Sequence, residues 1–306
     1  MPDAASSSHP VQQLQATASN GTELAVWGVT DQGRIRKNNE DNLAACDLSS
    51  GEVLAGPFEF HRIVGPQGVL LLVADGMGGQ ACGELASQMC SDLTPTRLLE
   101  GVRQRQAASR DELGELLARA LESANQSILE ASRNRPACKG MGTTATAAWV
   151  RGSSVLVAQV GDSRAYLIRD GQMTQLTRDQ TFLNYLKDMG AVDANAESRD
   201  DPRRSILVQA LGTSERLNVV LTRAELRNGD RLLVASDGLY ATVPAGRISE
   251  IAAAGDNLEA RCRSLIEAAN REGGPDNITL ILADIHLDSA SESATSVHVE
   301  ALTSKV

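Results

Sequence analysis

The sequence predicts an α+β sandwich, antiparallel β-sheets inside and helices on the outer faces, and three observations carry that expectation. Residues 69–73 are apolar throughout, lack helical period and lie between Gly68 and Asp75-Gly76, the pattern of a strand buried on both faces. After Arg135-Pro136, the stretches 143–150, 155–160, 164–169 and 173–176 are short, β-rich and separated by Arg151-Gly152, Gly161-Asp162 and Asp170-Gly171. That spacing reads as a run of hairpins, hence antiparallel. Finally, two pairs of helical segments, one in mid-chain and one late, supply the outer layers.

In chain order, residues 1–22 are Ser/Ala/Gln-rich and read as a disordered leader. A first strand is expected at 24–29, then a polar turn-like stretch carrying Glu40-Asp41, then a strand at 43–46. Residues 49–68, punctuated by Gly and Pro, read as a hairpin or loop leading into the central strand. The stretches 86–99 and 111–133 have helical spacing. In the second, Leu113, Leu117, Leu121, Ala124 and Ile128 share a stripe, and Asp111 and Glu112 sit where the helix dipole favours acids. Residues 179–204 are polar, with a short helix at 182–189, and a strand is expected at 219–222. The stretch 231–235 repeats the opening device, an apolar strand running into Ser236-Asp237-Gly238. Helices at 247–254 and 258–272, the turn Gly273-Gly274-Pro275-Asp276-Asn277 and a strand at 278–285 complete a domain spanning 23–287. Residues 288–306 read as a disordered tail.

At 306 residues, 42% hydrophobic, the chain can bury one large core or two small ones. A net charge of -10 argues against a general binder of nucleic acid or anionic membranes, which would carry basic patches. No apolar run is long enough to span a membrane, and no basic region followed by an apolar run opens the chain, so a cytoplasmic protein is expected. The five cysteines, Cys46, Cys82, Cys90, Cys138 and Cys262, are odd in number and scattered without a CxxC pair, and read as reduced thiols.

Asp41, Asp75, Asp162, Asp237 and Asp276 all sit at strand ends or turns beside small residues. One such acid is ordinarily a turn residue or a cap. Asp75 and Asp237, however, each follow a buried-strand run, where an unpaired charge is costly. Carboxylates without histidine or cysteine suit hard cations, Mg²⁺ or Mn²⁺. Two such cations can acidify a bridging water and brace an in-line attack on phosphorus.

Seven pieces in order then establish a resemblance: Asp31-Gln32-Gly33 through Arg36 to Asn39-Glu40-Asp41; Asp75-Gly76-Met77-Gly78-Gly79 with Gly83-Glu84; Gly142-Thr143-Thr144; Gly161-Asp162-Ser163-Arg164; Ala210-Leu211-Gly212; Ser236-Asp237-Gly238; and Gly274-Pro275-Asp276-Asn277. Over about residues 24–287 the chain resembles the bacterial form of the PPM (PP2C-like) metal-dependent serine/threonine phosphatases. The resemblance implies an αββα sandwich and two Mn²⁺ or Mg²⁺ ions, with Asp75 bridging them, the Gly76 carbonyl on one and Asp237 and Asp276 on the other. It implies that Glu40 and Asp41 act near the metals through water, that Asp162 lines a possible third site, and that Arg36 binds the substrate phosphate. A metal-bound hydroxide would attack phosphoserine or phosphothreonine directly. Phosphoproteins, with a serine/threonine kinase or its targets, are the implied partners of a monomeric enzyme.

Met77 stands where some members have a histidine, and Asp179-Gln180-Thr181 departs from the usual Asp-His-Ser of the flap, here expected at 177–204. Gly76, Gly78 and Ala81 also fit a dinucleotide fingerprint, but Asp75 would repel a pyrophosphate and the later chain lacks βαβ alternation. A phosphatase of another phospho-substrate, or a non-catalytic module on the same fold, remain the alternatives.

Overall fold

The computed structural model describes residues 21–78, 82–105, 110–193, 201–255, 257–288, 297 and 299–302. Residues 1–20, Gly79, residues 194–200 of the expected flap and most of the expected tail lie outside this set. The elements run β1 (Thr22–Asp31), β2 (Asp41–Asp47), β3 (Glu52–Ala55), β4 (Phe58–Ile63), β5 (Val69–Met77), α1 (Cys82–Gln104), α2 (Arg110–Asn134), β6 (Gly142–Thr143), β7 (Ala145–Arg151), β8 (Ser154–Val160), β9 (Arg164–Arg169) and β10 (Gln172–Gln175). Then come α3 (Phe182–Asp188), β11 (Val220–Glu225), β12 (Arg231–Ala235), α4 (Asp237–Tyr240), α5 (Ala245–Ala253), α6 (Leu258–Arg271), β13 (Ile278–Leu287) and β14 (Val299–Leu302).

Among the described residues these strands form two antiparallel sheets, β10-β9-β12-β13-β1-β4 and β14-β11-β8-β7-β5-β2-β3, with β6 on the end of β5. The strand period of two sorts each strand between layers. From β5, Leu70, Leu72 and Ala74 pack with Leu117, Leu121 and Ile128 of α2, while Val69, Leu71 and Val73 meet Val234 and Ile281 of the opposite sheet. Leu70, Leu71 and Leu72 are fully buried, each contributing about 1.5–3 kcal/mol by that burial, so β5 anchors the sandwich. On the far face, Leu233, Leu280 and Leu282 pack under Ile248 of α5 and Leu265 of α6. The expected αββα layering is the observed one.

The register places the ends that matter at one pole. Asp31 pairs with Ile278, Asp41 with Asp75, Gly76 with Thr143, Ala145 with Val160, and Arg164 with Ala235. Every connection carrying an expected site acid therefore opens at the same mouth.

Four expectations need correction. The expected run of hairpins is interrupted at Gly161-Asp162-Ser163. β7–β8 and β9–β10 are hairpins, but this connection carries the chain from one sheet to the other, with Gly161 at φ +98°. Nor is 49–68 a hairpin: β3 pairs with β2, whereas β4 pairs with β1 in the opposite sheet. The alternating pattern is the same for either partner, so sequence could not tell them apart. Within 288–306, β14 closes an edge by pairing with β11. Cys82 and Cys138 form a disulfide, Cα atoms 5.3 Å apart, while Cys46, Cys90 and Cys262 are free and buried. The pair is separated by 56 residues and meets because α1 and α2 pack as a helical hairpin. The Asp170-Gly171 turn is as expected, with φ +51° and +75°, both left-handed as the tight hairpin turn requires.

Candidate metal centre

Asp75 ends the buried strand β5 and lies directly across from Asp41 on β2. Like charges opposed in this way repel, so the pairing needs another source of stability. The backbone of Asp75 is clamped: its carbonyl accepts from Thr144 N at 2.8 Å and Thr143 Oγ1 at 2.9 Å, and its amide donates to Thr144 Oγ1 at 3.0 Å. Thr144 Oγ1 also lies 2.7 Å from Ser163 Oγ, tying the Asp75 clamp to the crossing that carries Asp162. Close packing explains Gly76. A Cβ there would fall 2.2 Å from the Gly83 carbonyl oxygen and 2.5 Å from that of Glu40.

Asn277 organises the opposite side. Its Nδ2 donates to the carbonyls of Gln32 and Asn38, both at 2.9 Å, and its Oδ1 accepts from Glu40 N at 2.9 Å. The loop carrying Arg36, Glu40 and Asp41 is thus stapled to the turn carrying Asp276. Ser236 Oγ donates to Asp41 Oδ2 at 2.7 Å. Tyr240 Oη donates to the Asp162 carbonyl at 2.9 Å, and its ring lies 3.6 Å under the Arg164 guanidinium, itself held by Asp179. Gln180, at a departure from the family pattern, accepts from Gly161 N at 2.6 Å through its side chain and so ties the 179–181 segment to the Asp162 crossing.

The fold gathers all five expected aspartates at the mouth. Burial first, then the charges of Asp41, Asp237, Asp162 and Asp276, hold the Asp75 carboxyl well above the ordinary carboxylate range. Burial likewise pushes Asp41 up to about 6, Asp162 to about 7 and Asp237 to about 8. For Asp162 the next cause is Asp179; for Asp237 it is Asp162. Glu40 is raised too, chiefly by burial, with its backbone at the mouth and its Oε2 against Gly83. Arg36 meets Asp276 directly, Nη2 to Oδ2 at 2.6 Å, a partner that sequence reading did not give it. Its side chain is 53% exposed, so the guanidinium remains open to solvent beside the acids.

Two buried oxygens, Oδ1 of Asp41 and Oδ1 of Asp237, have no hydrogen-bond partner. Orphaned acceptors among mutually repelling carboxylates fit a divalent cation, which would satisfy both and reverse the repulsion. Among the described residues no three acid, histidine or cysteine side chains form a closed cage for an ion. Mg²⁺ sites seldom need one, since that ion keeps several waters and takes only one or two carboxylates.

A pH signature follows for the metal-free protein. Carboxyls with raised native values stay protonated where the unfolded chain's are already ionised, so the native state holds more protons and loses stability as pH rises. In chelator, Tm should fall between about pH 4 and about 8, the window ending at the Asp237 value, and Asp237→Asn should flatten the fall. Scanning fluorimetry across pH checks this, and equal slopes in both proteins would show that Asp237 ionises normally.

Sequence reading identified the acids but not Ser236, Tyr240, Thr144 or Gln180 as their supports. Ser236, fully buried beside Asp237 at a strand end, was the most visible signal.

The family profile for protein phosphatase 2C matches residues 59–278. The serine/threonine phosphatase stp of Listeria innocua is 33% identical over 268 residues, 87% of this chain and 98% of that protein. The serine/threonine protein phosphatase PstP of Mycobacterium tuberculosis is 37% identical over 259 residues, 84% of this chain but 44% of PstP, so the chain spans under half the length of that relative. The crystal structure of PstP superposes with a TM-score of 0.68 at 34% identity, covering 86% of this chain and 99% of that one. The PstP catalytic domain in complex with two manganese ions superposes at 0.67 and 33% identity, covering 87% and 99%. The chain belongs to the protein phosphatase 2C family.

Proposed function

We propose that this chain is a metal-dependent protein phosphatase that hydrolyses phosphoserine and phosphothreonine in protein substrates. The observation that carries the reading is the meeting of Asp41, Asp75, Asp162, Asp237 and Asp276 at one pole, with buried oxygens of Asp41 and Asp237 unpartnered. Asp75, the Gly76 carbonyl, Asp237 and Asp276 would hold the Mn²⁺ or Mg²⁺ ions, with Asp75 as the shared ligand. Glu40 and Asp41 would act on the ions through water, and Asp162 would line a third position. When bound, the ions supply Lewis-acid polarisation, acidify water and offset charge on the phosphoryl oxygens.

The chain's own residues do the positioning. Arg36 exchanges Asp276 for phosphate, and its planar pair of donors fits two phosphoryl oxygens. Asp41 is oriented by Ser236 through Oδ2 and keeps its other oxygen, the buried Oδ1, free of protein partners. Because nothing covalent forms with the protein, catalysis here is positioning and electrostatics. The opposing kinase, a monomeric state and a cytoplasmic site of action complete the proposal; among the described residues no helix is long and apolar enough to cross a membrane.

A metal series on a phosphothreonine peptide, with a phosphotyrosine peptide as control, tests it. Chelation should abolish hydrolysis and added Mn²⁺ restore it, with the phosphotyrosine peptide turned over poorly. Full activity after exhaustive chelation, with no metal detectable, would overturn the reading.

A further inference from the structure

We infer that Cys82–Cys138 is a reversible thiol–disulfide site that sets the affinity of the neighbouring centre for its cation. The inference rests on the divalent-metal reading of Asp75.

The bond joins the two segments that flank Asp75-Gly76. On one side, Cys82 opens α1 and is followed by Gly83, where a Cβ would lie 2.9 Å from the Gly76 carbonyl carbon and 2.6 Å from Glu40 Oε2. On the other, Cys138 closes a short turn anchored to α2 through Ser132, whose Oγ donates to the Cys138 carbonyl at 3.0 Å. That turn leads to Met141, whose amide donates to the same carbonyl at 3.0 Å, and on to Thr143 and Thr144, the clamp on the Asp75 backbone. The two sides also touch directly, since a Cβ on Gly78 would lie 3.0 Å from Met141 Cα. Oxidised, the pair holds the two segments beside Asp75-Gly76 together. Reduced, the short β5–β6 pairing, the Thr143–Thr144 clamp and packing do so without it.

The three other cysteines are unsuited to exchange. Burial pushes the thiols of Cys46, Cys90 and Cys262 up to about 11, 12 and 12, which leaves them neutral and inert. Cys138 lies in an otherwise open turn between the cations Arg135 and Lys139 and, though partly packed against the core, is less buried than Cys82, which makes its sulfur the one of the pair that an incoming thiolate would attack. The co-reactant is a dithiol. One of its thiolates attacks Cys138 Sγ, the Cys82–Cys138 bond breaks, and Cys82 leaves as a thiolate and takes a proton. The second thiol then closes the reductant's own disulfide and releases Cys138 as a thiol. The protein gains two electrons and two protons, and the dithiol loses them.

The test compares wild type, oxidised with glutathione disulfide or reduced with dithiothreitol and desalted, with Cys138→Ser. Thiols are counted after denaturation and Mn²⁺ binding is measured by calorimetry. Oxidised protein should titrate three thiols and reduced protein five. Reduction should weaken Mn²⁺ binding by roughly fivefold or more, the low end of usual coupling between sites, and Cys138→Ser should bind as the reduced form does and ignore oxidant. By reciprocity, saturating Mn²⁺ should make the disulfide harder to reduce by the same factor, about 21 mV for fivefold at two electrons. Five thiols after oxidation, or equal Mn²⁺ affinity in the two forms, would overturn this inference alone. Failure of both forms to bind Mn²⁺ would overturn the metal reading and this inference with it.

Discussion

Asp75→Asn is expected to abolish turnover while the fold stays intact. The substitution keeps the shape of the side chain and leaves the backbone clamp of Thr143 and Thr144 untouched. It removes the one charge that the proposal shares between both cations. Losing a single electrostatic stabiliser costs other active sites about 10²–10³ in kcat, so a fall of at least about a hundredfold is expected. Stability should move the other way in the absence of metal. Asp75 faces Asp41 across the strands and carries the repulsion of Asp237, Asp162 and Asp276. Metal-free Asp75→Asn should therefore melt at or above wild type at pH 8. Added Mn²⁺ should raise the Tm of wild type, since a ligand that binds only the folded state stabilises it, and should leave the variant nearly unchanged. Peptide kinetics beside melting curves with and without Mn²⁺ decide the matter. A variant that keeps near-normal kcat and the full Mn²⁺-induced rise in Tm would remove Asp75 from the bridging role.

Asn277→Ala is expected to be the most damaging change at a residue that holds no cation in the proposed site. One buried side chain satisfies the carbonyls of Gln32 and Asn38 and the amide of Glu40. Each backbone group left unsatisfied costs about 1–3 kcal/mol, and water entering the space recovers part, so about 3 kcal/mol is a fair total. For a domain of this size that is roughly 6–12 °C in Tm. Activity should fall beyond what the stability loss explains, because the freed loop carries Arg36, Glu40 and Asp41. Asn277→Asp, which keeps the acceptor but loses both donors, should recover only the Glu40 contact. Urea unfolding with kinetics well below the transition tests this; wild-type kcat/KM in Asn277→Ala would show that the loop is held by other means.

The correspondence between sequence and structure is closest where a pattern is set by near neighbours. The apolar run of β5 reads as a strand buried on both faces and is one, because a strand with helices on one side and a sheet on the other has no solvent face. The α2 stripe and the left-handed Asp170-Gly171 turn are likewise local matters of period and backbone conformation. Asp75 and Asp237 could be marked for a related reason, since a carboxylate at the end of a buried strand is costly in any fold and marks a need for a partner, whereas the roles of the other acids came from the family resemblance.

What those partners are was decided in three dimensions. The pattern around Gly161-Asp162 looks the same whether the chain turns back or crosses over, and the structure shows that it crosses. The pairing of β4 with β1 rather than β3, the docking of β14 on β11, the ion pair of Arg36 with Asp276 and the Cys82–Cys138 bond all join residues remote in sequence. By itself, then, the sequence determined the central strands, the helices and the chemistry of their ends. The tertiary structure alone decided which ends meet, because register and layer order are selected by burying the faces of both sheets at once, a condition that no local window of residues contains.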